Sequence, residues 1–381
     1  MLSDLKKIPA AFSNRARLPF DRELLVLILL LSLAGSAMIF SASYAYAEAR
    51  YGTPYYFIMR QSIWLILGIG VMLLVSNLPP EVLKLLSPLS YGITVLLLLA
   101  VLIIGSSGNG AQRWISLGPI TLQPSEIAKT TLVLILAYYY ENNADTAFRQ
   151  KGRVSLTKGT LLPFLFIACI CFLVMLQKHL SGLIIIGCIG VCVMFLSGIR
   201  LRFLGIFGFC ASLGVTALAF LTDYTKRRIT IWRNPELYPL DGGWQTLQGL
   251  MAIGSGGFFG RGFGKSLLKY SYVSEPANDM IFTILCEELG FVGAFCTLAL
   301  FGLFIYRTFS IALASKDTFP RLVALGIGCK VALQVLLNIA VVTNTIPNTG
   351  ISLPFFSYGG SSLLMLFAEM GILLSISRTT S

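Results

Sequence analysis

An aspartate at the start of an apolar run could act as a general base. Asp279 follows the segment Glu275-Pro276-Ala277-Asn278 and precedes a stretch that is apolar from Met280 onward. The pattern predicts a carboxylate at a membrane–water boundary, where it could take a proton from a hydroxyl group. The alternative is a helix N-cap, in which an aspartate accepts hydrogen bonds from free backbone N–H groups. Such bonds lower the pKa of the acid and weaken it as a base. The residues alone leave both interpretations open.

Three other carboxylates, Glu287, Glu288 and Glu369, lie within apolar segments. An acid inside a membrane is costly and is usually paired or functional. Adjacent glutamates point about 100° apart on a helix, so at most one of the first two faces a given partner. Structural pairing is the default interpretation of all three, and Lys129 and Lys330 are the candidate partners within apolar runs.

A second segment with chemical potential runs from Gly110 to Lys129. Arg113 could bind phosphate, and Trp114 could anchor the chain at a membrane interface. Pro124 suits the start of a helix, and Glu126 suits its first turn. Lys129 lies one turn deeper, where an ammonium group needs a partner.

Two familiar kinds of site are excluded. The chain has one histidine, His179, so a metal site built from several histidines is impossible, and we predict a structural role for it. The glycine-rich run at 256–266 fails the phosphate-loop pattern because the first required glycine would fall at Phe259. The eight cysteines all lie in apolar runs without zinc-ligand spacing and are predicted to be core residues.

These residues must be positioned by membrane helices. The chain has 381 residues, of which 56% are hydrophobic and only 12% are charged, with a mean hydropathy of +0.79. A globular protein carries about twice that share of charge, so a soluble enzyme, a disordered chain and a coiled coil are excluded. The net charge of +12 indicates a membrane surface rather than nucleic acid, because the basic residues lie beside apolar spans.

The predicted fold is an all-α integral membrane protein with about ten transmembrane helices, forming one membrane domain over residues 1–381. The predicted spans are 23–43, 58–76, 83–105, 125–140, 160–177, 180–197, 202–221, 279–305, 321–343 and 361–377. Basic residues predict a cytoplasmic tail at 1–22 and both termini in the cytoplasm. The first apolar stretch is long for a signal peptide and many spans follow it, so we predict an uncleaved first helix. Residues 222–278 form a large extracytoplasmic loop between helices seven and eight. Its basic residues could attract lipid headgroups or bind a polyanion such as a diphosphate.

Three segments together resemble the SEDS family, whose members serve cell shape, elongation, division and sporulation (RodA, FtsW and SpoVE). They are GAQRWISLGPITLQPSEIAK at 110–129, SEPANDMIFTILCEELGFVG at 274–293 and TNTIPNTGISLPFFSYGGSSLL at 343–364. The resemblance covers nearly the whole chain. The sequence around 235–248 is more similar to the FtsW and SpoVE branch than to RodA.

The resemblance implies a peptidoglycan glycosyltransferase in the bacterial cytoplasmic (inner) membrane. Such enzymes polymerise lipid II, an undecaprenyl-diphosphate-linked disaccharide-pentapeptide, at the outer leaflet with a class B penicillin-binding protein. The essential aspartate of the family matches Asp279, its outer-loop tryptophan matches Trp114, and its lysine in the fourth span matches Lys129. Asp279 is then the predicted base for the acceptor GlcNAc 4-hydroxyl group, and Arg113, Lys129, Lys265 and Lys269 are candidates to bind the diphosphate.

The predicted substrate-binding residues are Arg113, Trp114, Gln123, Glu126, Lys129, Lys265, Lys269, Glu275, Ser357 and Ser361. A divalent cation, Mg²⁺ or Mn²⁺, could share the neutralisation of the diphosphate, although the sequence offers no dedicated cage for it. Two alternatives from other classes stay open. The chain could be a flippase that moves lipid II across the membrane, or a scaffold that recruits the penicillin-binding protein.

Overall fold

The computed structural model describes residues 19–108, 111–118, 120–143, 156–199, 205, 208, 223–239, 243–270 and 277–379. The helices in these ranges are α1 (Arg22–Tyr51), α2 (Tyr56–Ser76), α3 (Pro80–Ile104), α4 (Pro124–Asn142), α5 (Leu162–Leu176), α6 (Leu180–Leu196), α7 (Asp223–Arg233), α8 (Trp244–Gly256), α9 (Ile281–Ala314), α10 (Thr318–Val342) and α11 (Gly360–Ser377). A π-helical turn, Leu156–Leu161, precedes α5, and a 3₁₀ turn, Pro235–Leu237, follows α7.

The prediction of a helical membrane protein is confirmed. Within the described residues, seven helices are long and apolar enough to cross a membrane. Nine of the predicted spans coincide with α1–α6 and α9–α11, because each long apolar run must satisfy its backbone groups within a helix. The predicted span 202–221 lies outside the described residues, apart from Gly205 and Gly208. The exact number of spans and the position of the large loop stay predictions.

Helices α10 and α11 lie at the centre of the bundle. In their most apolar windows 61% and 72% of residues are buried, against 17% in α2 and 22% in α3. Glycine allows close contact between α2 and α11, because a Cβ atom on Gly68 would lie 2.6 Å from the Phe367 ring. Because these two helices are buried, polar side chains on them are shielded from lipid.

A small antiparallel sheet joins α3 to α4, and the sequence analysis did not predict it. Its strands are β1 (Ser106–Gly108), β2 (Ala111–Leu117) and β3 (Ile120–Leu122), in the order β1-β2-β3. Gly118, with a φ of 67°, lies in the tight turn between β2 and β3. This sheet fixes the segment that carries Arg113 and Trp114 at the beginning of α4.

One end of the bundle is held by Asp21. Its carboxylate accepts a hydrogen bond from the Leu24 N–H at the start of α1 and two from Arg307 of α9, at 2.9 and 2.6 Å. The Asp21 N–H donates to Ser377 Oγ at the end of α11. Asp279 lies at the opposite end of α9, which places the candidate site at the other membrane boundary.

Candidate active site

The turn that carries Asp279 is fixed through its backbone. Asn338 of α10 donates from Nδ2 to the carbonyl oxygens of Asp279 (2.9 Å) and Ile351 (2.6 Å). Ser357 Oγ donates to the Asn278 carbonyl at 2.7 Å. These bonds fix the backbone of the turn that carries the half-buried Asp279 carboxylate.

Asp279 does not take the helix N-cap position. Helix α9 begins at Ile281, its N-cap residue is Met280, and the Met280 side chain makes no capping bond. The N-cap interpretation of Asp279 is therefore wrong. The interpretation as a general base stays a prediction.

A strap of residues 344–351 passes beside the aspartate. Gly350 has a φ of 64°, and a Cβ atom built on it would lie 3.6 Å from Asp279 Oδ2. The Gly350 N–H donates to Asn348 Oδ1, which closes a local turn at 3.2 Å. Glycine at this position permits the left-handed backbone that brings the strap to the carboxylate.

Helix α7 holds the strap from the other side. Trp232 Nε1 donates to the Asn344 carbonyl at 2.9 Å, and Arg228 Nη1 donates to the Asn348 carbonyl at 2.8 Å. The residues of α7 thus reach the Asp279 region through the strap.

Two ion pairs lie inside the bundle below this turn. Lys330 Nζ lies 2.6 Å from both carboxylate oxygens of Glu369, and Thr130 also donates to Glu369. Lys129 lies 2.7 Å from Glu126, three residues earlier on α4. The prediction that Glu369 is structurally paired is confirmed, with Lys330 as its partner.

A small cavity lies between these ion pairs and the segment that holds the Asp279 turn. Its lining includes Glu126, Lys330, Gln334 and Ser357. Ser357 therefore lies both in this cavity and against the backbone of the Asp279 turn.

A third group of charges lies where β2 meets the α5–α6 turn. Arg113 Nη2 donates to the Lys178 carbonyl at 2.9 Å. His179 is buried, and its burial, together with the charge of Arg113, lowers its pKa to about 4. The charge of Glu126 opposes this lowering of the His179 pKa, and the charge of Lys129 adds to it. These charged groups therefore lie close enough to His179 to affect its protonation.

Comparison with known proteins decides the family. A profile of the FtsW/RodA/SpoVE family, described as cell cycle protein, matches residues 22–381. This chain belongs to that family. It is 38% identical to stage V sporulation protein E of Bacillus subtilis (strain 168), over 94% of this chain and 97% of that protein. It is 33% identical to a probable peptidoglycan glycosyltransferase FtsW of Geobacter sp. (strain M18), over 94% of this chain and 96% of that protein.

Two solved structures share the fold of this chain. One is a chain from work on the structural coordination of polymerization and crosslinking by a peptidoglycan synthase complex. It has a TM-score of 0.79 and 30% identity, over 94% of this chain and 98% of that one. The other is the rod shape determining protein RodA of Thermus thermophilus, with a TM-score of 0.72 and 30% identity, over 96% of this chain and 99% of that one. The chain is a membrane-integral protein of this fold.

The structure separates the predicted cations. Lys265 is exposed, whereas Lys269 is 1% exposed, and its ammonium lies 2.7 Å from Glu288. Arg113 and Trp114 lie on β2 and are half-buried. The Glu126 carboxylate of α4 lies beside Lys129.

Two of the remaining predicted residues lie at the beginnings of helices. Gln123 is half-buried and immediately precedes α4, and Ser361 is buried in the first turn of α11. Glu275 lies outside the described residues. The roles of all these residues in substrate binding stay predictions.

The sequence analysis missed Asn338 and Gly350, the two residues that contact Asp279 from distant segments. Asn338 is a fully buried amide in an otherwise apolar helix, which is a signal that could have found it. Gly350 gave no comparable signal, because its role depends on a contact between distant segments. Within the described ranges, no group of three or more His, Cys, Asp or Glu side chains could hold a metal ion. The divalent cation therefore stays a prediction.

Proposed function

We propose that this chain is a peptidoglycan glycosyltransferase that polymerises lipid II at the outer leaflet, with Asp279 as the general base. The observation that carries the proposal is the turn of Asp279, which Asn338 and Ser357 fix at the edge of the central polar cavity. The names of the FtsW relatives support the activity. The assignment of the base is supported by the turn geometry and by the position of Met280, rather than Asp279, as the N-cap residue of α9.

In the proposed reaction the GlcNAc 4-hydroxyl oxygen of the acceptor attacks C1 of the donor MurNAc. The C1–oxygen bond breaks, and undecaprenyl diphosphate leaves with the bonding electrons. Asp279 takes the proton of the attacking hydroxyl group, a contribution of about 10²–10⁴ in rate. One carboxylate is sufficient because the diphosphate needs charge neutralisation rather than protonation.

Of the four candidate cations for the diphosphate, Lys265 is favoured over Lys129 and Lys269, and Arg113 stays a candidate. Lys129 and Lys269 each lie 2.7 Å from a glutamate, so an anion would have to compete with a carboxylate for them. Arg113 donates from Nη2 to the Lys178 carbonyl, which fixes its guanidinium beside the α5–α6 turn. Lys265 is exposed on the same side of the membrane as Asp279. Fixed cations of this kind stabilise charge that develops on a leaving group.

We further propose that the protein lies in the bacterial inner membrane with both termini in the cytoplasm. A class B penicillin-binding protein is the proposed partner. The similarity to a chain of a peptidoglycan synthase complex supports this assignment. Lipid II transport is the second candidate function, because the buried pairs Glu126–Lys129 and Lys330–Glu369 place charge inside the bundle, as a translocation path would.

The test is polymerisation of labelled lipid II by the purified protein in vesicles with its class B partner. We expect glycan chains from the wild type and a loss of about 10²–10⁴-fold in rate for Asp279→Asn. Asp317→Asn is the matched control, since Asp317 is an exposed aspartate at the opposite end of the bundle that caps α10 without a side-chain bond.

Partner binding and the thermal unfolding midpoint are measured for each variant to establish folding. Full activity of a folded Asp279→Asn protein would reject Asp279 as the base. Absence of polymer from the wild type, together with transfer of lipid II between leaflets that Asp279→Asn retains, would instead support transport.

A further inference from the structure

Residues 257–267 form a loop that exposes large apolar side chains outside any helix. Phe258 is 60% exposed, Phe259 79%, Phe263 51% and Leu267 58%. We call this segment the 257–267 loop. Such a concentration of exposed aromatic and aliphatic groups on an irregular segment marks a surface that contacts a partner or a membrane.

The loop is built into a break in α9. Gly290 departs from helical geometry with a φ of 65° and a ψ of −163°, which interrupts the hydrogen bonds of the helix. The loop replaces them on both sides of the break. Arg261 N donates to Glu287 O (3.0 Å), Gly262 N to Glu288 O (2.9 Å), Phe291 N to Gly257 O (2.9 Å) and Val292 N to Phe258 O (3.1 Å). The backbone of the loop is thus fixed to α9.

Two adjacent glutamates fix the rest of the loop. Glu287 accepts from Ser266 Oγ at 2.5 Å and from Leu267 N at 3.0 Å. Glu288 accepts from Gly264 N at 2.9 Å and from Lys269 Nζ at 2.7 Å. The exposed side chains therefore project from a rigid support, and their exposure is a property of the fold.

The lengths of α9 and α1 indicate the depth of the 257–267 loop in the membrane. The Asp21–Arg307 pair marks one end of the bundle. At 1.5 Å per residue, α9 rises about 26 Å from Arg307 to the break at Gly290. Helix α1 rises about 33 Å from Arg22 to Tyr44, and the Tyr44 ring lies 4.5 Å from the ammonium of Lys269, next to the loop. The hydrocarbon core of a bilayer is about 30 Å thick, so both distances place the loop at the opposite boundary.

The apolar side of the loop is continuous with a membrane-facing side of α9. The Phe258 ring stacks on Phe291 at 5.7 Å, and Phe291 stacks on Phe295 at 6.3 Å. The exposed residues Leu303 and Tyr306 continue this side of the helix. Lipid is the occupant that covers such a helix face along its length.

Two cations lie among the apolar groups. Lys265 is exposed. The side chain of Arg261 is 38% exposed and forms a long ion pair with Glu287, with 3.8 Å between Nε and Oε1. Aromatic rings flanked by cations at the depth of the headgroups match the chemistry of a phospholipid surface.

We propose that the 257–267 loop is a rigid membrane-interface platform in the leaflet on the Asp279 side. Its phenylalanines and Leu267 enter the edge of the hydrocarbon, and Arg261 and Lys265 contact lipid phosphates. The platform favours anionic lipids in its vicinity. It does not depend on the catalytic role of Asp279.

The test uses the full chain in lipid nanodiscs with tryptophan reporters and lipids brominated near the headgroup end of the acyl chain. The reporter is Phe259→Trp, and Phe295→Trp on α9 is the reference for contact with lipid. Leu237→Trp is the matched control, because Leu237 is 73% exposed on the turn after α7. Each signal is taken as the difference from the wild type, which has four tryptophans.

We expect brominated lipid to quench Phe259→Trp at least as strongly as Phe295→Trp and more strongly than Leu237→Trp. We also expect stronger quenching by brominated phosphatidylglycerol than by brominated phosphatidylcholine. Adding Arg261→Gln and Lys265→Gln should abolish this preference while quenching by the neutral lipid persists.

Three results would overturn the proposal. Quenching of the Phe259→Trp reporter by aqueous acrylamide but not by lipid would place the loop in water. Protection from both quenchers would assign the surface to a protein contact. Equal quenching by the two lipids before the cations are changed would remove the role of Arg261 and Lys265.

Discussion

Acidification should destabilise this protein through its one histidine. His179 is 8% exposed, and burial, with the charge of Arg113, lowers its pKa from 6.5 to about 4. In the unfolded chain the imidazole regains its ordinary pKa of about 6.5. Between these two values the unfolded state binds a proton that the folded state excludes. The free energy of unfolding therefore falls as the pH falls from 6.5 towards 4 and is unaffected above 6.5.

The size of the effect follows from the two pKa values. Lowering the pH from 7.5 to 5 should remove about 2 kcal/mol from the free energy of unfolding, and the full interval should remove about 3 kcal/mol. The variant His179→Gln cannot titrate in this range and should lose this part of the pH dependence. Lys178→Gln is the control, because Lys178 is exposed and its carbonyl still accepts from Arg113.

Two measurements test this reasoning. Thermal unfolding in detergent from pH 7.5 to 4.5 compares the wild type with both variants. Since the chain has a single histidine, histidine labelled with ¹³C gives one Cε1 resonance whose titration reports His179 directly. A titration midpoint near the ordinary value of about 6.5 would refute the reasoning. So would an unchanged pH dependence of stability in the His179→Gln variant.

Two other predictions concern buried polar groups at the centre of the bundle. Asn338→Leu removes both hydrogen bonds that fix Asp279 and Ile351. It should lower the free energy of unfolding by about 2–4 kcal/mol and the polymerisation rate by more than tenfold. A kcat within twofold of the wild type, measured with lipid II on the folded variant, would contradict this. Lys330→Met leaves Glu369 buried without its partner and should destabilise the protein by about 3–5 kcal/mol. The double variant Lys330→Met/Glu369→Leu should recover most of this loss in thermal unfolding, and a double variant as unstable as the single one would argue against the pair.

The helical architecture could be predicted because the bilayer simplifies the problem. A long apolar run has no water to satisfy its backbone, so it forms a helix, and nine such runs coincide with described helices. The sheet at 106–122 was missed because its strands are only three to seven residues long. Runs of that length give little periodicity to read.

The candidate site was only partly predictable. Asp279 and the Glu126–Lys129 pair stand out because charged residues are rare in this chain and because local motifs frame them. The strap at Gly350 and the Asn338 bonds join segments that are distant in the sequence, so no local pattern announces them.

The amino-acid sequence by itself determined that this is a helical membrane protein with an aspartate at one membrane boundary. Only the tertiary structure decided which charges neutralise each other. Glu288 pairs with Lys269, and Glu369 pairs with Lys330, whereas Lys265 stays exposed. A buried charge must meet its partner at short range, and that depends on how each helix is rotated and how far it is shifted along its neighbours. Neither quantity can be read from the order of residues along the chain.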